Sequence, residues 1–578
     1  MHNCGRSIHM SEPIVIYPKG EKKKGFVGGL ISWVVYLLIL ALVYWFTLPP
    51  VHFQSKDFWH FVLFALVLRL VMSGFSVLKK AFTNGDEWNK GKVKETAKGL
   101  GKLAKVFGIA ALIIVLFLTV GNVFGFEIFH AHDYANLITT HNGDFAADVA
   151  ELSGENIPVV DKDTAERLGL RKLGEISDLV SQFEVDDTYY TQINYQGSPY
   201  RVTPLQYGDA FKWLGNQKQG IPAYITVNMV TQETKLVRLN EGMKYSNTEY
   251  FFRYLPRHLR LKYPTKMFDN ISFELDEQGT PYYVASTYSY TIGLFNGKDI
   301  DGAVLCNAIT GECQYFPKDQ VPTWVDQLYS SELVIEQLTY NGKYQSGYWN
   351  AMFGQKGVLQ PTDGYNYIAI NDDVYLYTGI TSAAGDESNV GFVLANLRTK
   401  ETAYYTCPGA EEYSAMESAQ GMVQDLGYSS TFPILLNISD RPTYFVSLKD
   451  SAGLVKMYAY IDVQQYQVVG TGTTLSAARE AYAQKLKDEA DIEIDAQGSK
   501  PQQETTTVTG KVESITPVVV EGNTHYYLKL SGNPRVFVAK ITVSEVLPFV
   551  KAGNTVTLTV PSELPQGAVS VSAFTIGE

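Results

Sequence analysis

Apolar residues along this chain fall into two regimes. Three long runs, at 26–46, 58–78 and 106–126, each approach the roughly 20 residues a helix needs to cross about 30 Å of hydrocarbon. After Glu127 no comparable run occurs. The pattern changes there to short alternating segments rich in tyrosine, valine and threonine, as expected of half-buried strands. The predicted fold class is multi-domain: an all-α three-helix membrane anchor, α+β antiparallel-sheet modules, then an all-β barrel.

The modules announce themselves by recurrence. Segments 225–237, 304–316 and 393–405 share an asparagine, a threonine three residues on and a glutamate two further: Asn228, Thr231, Glu233; Asn307, Thr310, Glu312; Asn396, Thr399, Glu401. Segment 459–470, with Asp462 in the asparagine place, reads as a degraded fourth copy. Turn-to-strand pieces at 196–202, 278–284 and 441–446 precede these hairpins, and helical stretches at 247–261, 322–337, 410–426 and 475–486 follow them. The unit is strand, turn, strand, hairpin and helix, recurring every 66 to 89 residues over 186–486. Each helix is expected across one face of its own sheet. Residues 128–185 read as a juxtamembrane region and 487–507 as a polar linker.

Beyond the linker, strands are predicted at 508–520, 526–530, 536–539, 555–560 and 568–576, with a short helix at 543–550. Five strands with a helix between the third and fourth resemble an OB-type barrel.

Charge orients the anchor. Lys19, Lys22, Lys23 and Lys24 precede the first run, and eight lysines between Lys79 and Lys105 separate the second from the third. Lysine-rich short segments stay on the cytoplasmic side. The N-terminus (1–25) and the 79–105 loop are thus expected inside, and everything after residue 126 outside, in the plasma membrane. The stretch from Met10 reads like a bacterial start, which would leave Cys4 out of the mature protein. Arg69 sits within the second run with no acid inside any span, so a helix–helix bonding role is expected for it. Of the formal charge of −12, residues beyond 127 hold 33 basic and 53 acidic side chains, a net of −20. That sign opposes nucleic-acid binding. The partners expected are the lipid bilayer and a cell-envelope protein. Rich aromatic content (38 Tyr, 29 Phe, 7 Trp) suits both cross-strand packing and partner contact.

Candidate chemistry is sparse. Cys306 and Cys313 flank a hairpin turn symmetrically, so they face each other either as a cross-strand disulfide in an oxidising compartment or as two reduced thiols. His130, His132 and Asp133 could begin a metal site, with His141 nearby, but interfacial histidines are the favoured reading. Asn296, Asp299 and Asp301 lack the later bidentate acid of a calcium loop, and with Asp372 and Asp373 read as exposed acidic turns. No nucleophile elbow, zinc-protease or phosphate-loop motif occurs. No catalytic residue, metal ligand or cofactor is predicted.

The hairpins, notably Thr310, Gly311 and Glu312, resemble the Thr-Gly-Glu turns of PepSY-type modules over about 186–488. The exterior is also similar in wording to uncharacterised membrane proteins of Gram-positive bacteria. The resemblance implies an extracytoplasmic binding, scaffold or regulatory protein acting on another envelope protein. A wall-acting hydrolase and a transmembrane ligand sensor are the alternatives.

Overall fold

The computed structural model describes residues 22–82, 90–151, 157–383, 388–494, 505–520, 523–540, 543–544, 546–561, 568–571 and 573–576. The N-terminus with Cys4, and residues 495–504 of the predicted linker, lie outside the described residues; the linker's two ends belong to a helix, Leu475–Ala490, and a strand, Thr505–Val520.

Three helices open the chain: α1 (Lys22–Thr47), α2 (Lys56–Phe82) and α3 (Lys90–Val123). They contain the windows Leu30–Thr47, Lys56–Phe75 and Ala104–Val123, with mean hydropathies of 2.2, 1.8 and 2.5. All three are long and apolar enough to cross a membrane. Leu38, Leu42, Leu112 and Leu116 lie exposed on them, a surface suited to lipid rather than water. The basic segment is not a loop throughout, because the end of α2 and the start of α3 take up most of it. Arg69 joins α2 to α1, donating to Ser32 Oγ at 3.3 Å with its guanidinium 3.9 Å over the Trp33 ring.

The body beyond α3 holds four sheets, each built on four consecutive strands paired antiparallel in chain order. The first comprises Thr191–Tyr195, Ser198–Tyr207, Ile221–Asn228 and Thr234–Met243. The second comprises Met267–Leu275, Pro281–Ile292, Asn296–Asn307 and Cys313–Pro317. The third comprises Asn366–Ile370, Asp373–Ser382, Ser388–Asn396 and Thr402–Ala410. The fourth comprises Ile434–Ile438, Arg441–Lys449, Val455–Asp462 and Val469–Gly472. Short edge strands extend the first, third and fourth.

Shared apolar cores close these sheets into a ring. Ile225 of the first sheet, Phe273 of the second and Phe445 of the fourth belong to one buried cluster. Leu305 of the second packs in another with Leu376 and Val393 of the third. Phe392 of the third shares a further core with Tyr444 and Ile461 of the fourth. Each sheet thus packs on the one before it and the one after it.

Residues 128–185 are woven into this body rather than standing apart. Thr140–Asn142 pairs in parallel with Thr402–Ala410, and Phe145 enters the core beneath it. Helix Lys162–Gly174 buries Ala165 and Leu173 in the core of the first sheet.

The helices differ from expectation in start and seat. Leu255–Lys262 begins late because Pro256, which lacks an N–H, fits only the first turn. It packs on the following sheet, with His258 Nε2 hydrogen-bonded to Gly311 O at 2.7 Å. Ser331–Tyr344 replaces 322–337, and Glu412–Gly421 replaces 410–426. Ala415 and Ala419 of the latter join the core shared by the third and fourth sheets. Leu475–Ala490 does lie on its own sheet. Gly470 and Gly472 permit that seat, since a Cβ on either would fall 2.1 and 2.4 Å from the Tyr482 and Ala478 amides.

The C-terminal unit has a separate core of Leu528, Phe537, Val556 and Leu558. Thr505–Val520 pairs with both Asn523–Leu530 and Thr555–Pro561. Val536–Lys540 pairs in parallel with Val569–Ser570, and Ala573–Ile576 pairs with Thr555–Pro561. The predicted last strand is therefore two short ones. In place of the predicted helix the described residues show a 3-10 turn, Leu547–Phe549, where Pro548 removes a helical donor.

Candidate functional site

The residues that recur in the sequence are turn-builders. Asn228 Oδ1 accepts from the amides of Val230 (2.9 Å) and Thr231 (2.8 Å), while Thr231 Oγ1 accepts from Glu233 N (3.3 Å). Asn307 does the same with Ile309 and Thr310, and Thr310 with Glu312. Asn396 does so with Arg398 and Thr399, and Thr399 with Glu401. Asp462 Oδ1 likewise accepts from Gln464 and Gln465. The carboxylates of Glu233, Glu312 and Glu401 play no part in these bonds. The residue four past the asparagine has positive φ in three turns: Gln232 (62°), Gly311 (72°) and Lys400 (65°). Glycine is thus favourable there but not obligatory.

Chemistry gathers instead where the four sheets meet. A cavity of about 450 Å³ is lined there by Thr191, Gln192 and Arg201 of the first sheet and Ser272 of the second. Ser331, Tyr367 and Phe432 close it from the third- and fourth-sheet side, and Asp161, Asp163 and Glu332 stand at its edge.

Arg201 decides the character of this cavity. Its residue is only 5% exposed. Nη1 donates to Tyr190 O at 3.2 Å and Nη2 to Gln192 Oε1 at 3.4 Å, whereas Nε has no hydrogen-bond partner. Among the described residues no carboxylate forms an ion pair with it. The nearby Asp161 is taken by Lys449 Nζ at 2.6 Å. Burial accordingly lowers the Arg201 pKa, with only the more distant Tyr367, Asp161, Glu166 and Asp163 opposing. A buried cation without a counter-ion is expensive. Gln192 Nε2, on the side chain that accepts from Arg201, is also buried without a partner. Across the cavity Ser331 Oγ and Tyr367 Oη share a 2.7 Å hydrogen bond.

Two buried acids lie beneath. Glu274 accepts from Ser272 Oγ (2.6 Å), Asp326 N (2.7 Å) and Gln327 N (3.3 Å). Asp326 Oδ2 accepts from Asn194 N at 2.7 Å, tying the second-sheet side to the first. Burial raises the pKa of both carboxyls, and for Asp326 the Glu274 charge adds to the rise. The pair is fully lodged inside, so it shapes the floor rather than offering a surface.

The two predicted cysteines face each other. Cys306 and Cys313 are register partners, next to the hydrogen-bonded pair closed by Asn307 N to Glu312 O at 2.9 Å. They therefore occupy a non-hydrogen-bonded site, where side chains approach most closely. Both are free thiols with Sγ atoms 2.6 Å apart. His258 joins them, with one ligand atom from each of the three within 4.8 Å of the others.

The remaining candidates are dispersed. His130 binds Asp133 (2.7 Å) and His132 binds Asn136 (3.0 Å), with no third ligand gathered among the described residues. Asp299 meets Lys400 at 2.6 Å, Asp301 meets Lys266 at 3.4 Å, and Asn296 bonds Asn122 O at 3.2 Å, so these three point to separate partners. Asp373 is held by Arg398 at 2.6 Å. In the sequence Arg201 is inconspicuous, one residue of a turn-to-strand piece. Its signal is an arginine in a β-branched strand whose register partners, Gln192 and Val227, carry no charge.

Comparison with known proteins returns no matching family model and no matching curated protein.

Proposed function

We propose that this chain is a membrane-anchored extracytoplasmic binding protein whose four-sheet body takes a small zwitterion, such as an amino acid or short peptide, at the sheet junction. The observation that carries this reading is Arg201, a buried residue lining the cavity with no counter-ion among the described residues. A ligand carboxylate there supplies the missing charge and a planar acceptor for the guanidinium. Asp163 and Glu332 at the edge suit the ligand's ammonium group. A volume of about 450 Å³ falls in the range of small-molecule sites.

The four antiparallel meanders support a propeller-like reading, in which a ligand sits where the blades converge. The C-terminal pairing pattern supports the OB-type reading of that unit. The lysine distribution supports an outward-facing body.

An envelope-protein partner is a second reading, favoured by Trp349 and Phe353, stacked with centroids 5.8 Å apart and 63% and 78% exposed.

The test is native mass spectrometry of the full chain from its own membranes. A co-purifying small molecule, lost in Arg201→Met, is expected. Ligand-free protein from cells grown in rich medium, with mass added only by a stoichiometric envelope protein, would favour the second reading.

A further inference from the structure

The Cys306–Cys313 pair has an asymmetry that the cavity reading leaves unused. Cys306 is 0% exposed, while Cys313 is partly exposed at the start of the last strand of its sheet. Two cationic or proton-donating groups address the outer side of the pair from one helix, Leu255–Lys262. Lys262 Nζ and His258 Nε2 both reach Gly311 O at 2.7 Å, two residues before Cys313. Tyr263 Oη completes the clamp, donating to Cys313 O at 3.0 Å. The Cys306 thiol, His258 and Lys262 hold the Cys313 pKa below the ordinary thiol value, against burial. The Cys306 value is raised, first by its hydrogen-bonded partner Cys313 and then by burial.

We propose that Cys306 and Cys313 form a redox-active dithiol that undergoes thiol–disulfide exchange, with Cys313 the attacking sulfur and Cys306 the resolving one. Exchange proceeds best when the outer thiol is a thiolate and the second lies within bonding reach behind it. The Cys313 thiolate attacks one sulfur of a partner disulfide, forming a mixed disulfide and releasing the other sulfur as a thiolate. That thiolate takes up the proton of Cys306. Cys306 then attacks Cys313 Sγ, the intramolecular disulfide forms, and the second partner thiolate leaves and is protonated from solvent. Two electrons pass from the pair to the partner disulfide.

A soft metal ion is the competing use of the same three ligands. Lys262 weighs against it, since a fixed cation beside the thiols favours thiolate and repels a dication.

The full chain in detergent, carrying Cys4→Ser throughout so that only the body's thiols report, mixed with glutathione disulfide and followed by mass spectrometry after acid quenching, tests this. Cys306→Ser should accumulate one stable glutathione adduct on Cys313, whereas Cys313→Ser should react at least ten-fold more slowly. The wild type should lose two hydrogens without retaining an adduct, and excess reduced glutathione should reverse that. His258→Ala should move the alkylation midpoint of Cys313 in the Cys306→Ser background to higher pH, with Cys407 unreactive throughout. Equal reactivity of the two single variants, no adduct on either, or a wild-type disulfide that excess glutathione leaves intact would overturn the proposal. So would tight zinc binding that protects both thiols at equimolar metal.

Discussion

Arg201 and Glu274 both sit in environments that oppose their usual charge. Replacing Arg201 by methionine removes two long hydrogen bonds, at 3.2 and 3.4 Å, together with an uncompensated buried cation. These effects nearly offset, so Arg201→Met should alter unfolding free energy by no more than about 1–2 kcal/mol while abolishing ligand binding. Chemical denaturation of the detergent-solubilised chain checks the first half. Glu274 behaves in the opposite sense to a salt-bridged acid. Its folded pKa lies above the ordinary 4.5, so the folded state retains a proton that the unfolded chain releases. The stability tied to its neutral form is complete below pH 4.5 and is lost as pH rises toward neutrality. Relative to wild type, Glu274→Gln should gain about 1–3 kcal/mol on going from pH 5 to pH 8, by the same denaturation assay. An equal slope for both proteins would show that Glu274 ionises normally.

Among the elements, the hairpin turns explain why four units could be found in the sequence while their assembly could not. The Asn and Thr side chains bond amides two and three residues away, so their spacing is local and survives in the chain as a pattern. Strands flanking the turns were legible for the same reason. Helix starts were less so: Pro256 sets one, while Ser330 precedes another without capping it, its hydroxyl donating to Asp269 instead. The cavity was not legible, since Arg201, Ser272 and Tyr367 come from three different sheets and meet only when the ring closes. The turn geometry makes its own prediction. Asn396→Ala strips acceptors from the Arg398 and Thr399 amides, held at 2.8 and 3.0 Å, and should cost about 1–3 kcal/mol. Gly311→Ala should destabilise by at least about 1 kcal/mol, because φ is 72° and the new Cβ would lie 2.2 Å from the Tyr245 ring. Gln232→Gly, at the matching position, should be neutral or stabilising in thermal unfolding, which separates backbone strain from lost packing.

On the scale of the whole molecule, the anchor and the body are joined by polar contacts at helix ends. The last carbonyls of α1 lack intrahelical partners, and two guanidinium groups bond one of them and the carbonyl just past the helix end. Arg257 donates to Trp45 O at 3.3 and 3.1 Å, and Arg260 to Leu48 O at 2.9 Å. Val51 N reaches Pro264 O at 2.7 Å, and Phe295 packs on Phe117 of α3 with centroids 5.8 Å apart. The same Leu255–Lys262 helix thus grips the membrane segment with its arginines and the thiol pair with His258. The double substitution Arg257→Ala, Arg260→Ala should raise amide hydrogen exchange by at least ten-fold at Leu48 and Val51 while leaving the fourth sheet protected. Unchanged protection there would mean that the anchor docks through its apolar contacts alone.

Isothermal titration calorimetry with the full chain in lipid nanodiscs tests the central claim most directly, using a panel of free amino acids and dipeptides beside inorganic phosphate. The account predicts saturable one-to-one binding of at least one zwitterion, lost by a hundred-fold or more in Arg201→Met and partly kept in Arg201→Lys. Binding unaffected by Arg201→Met, or no heat from any member of the panel, would contradict it.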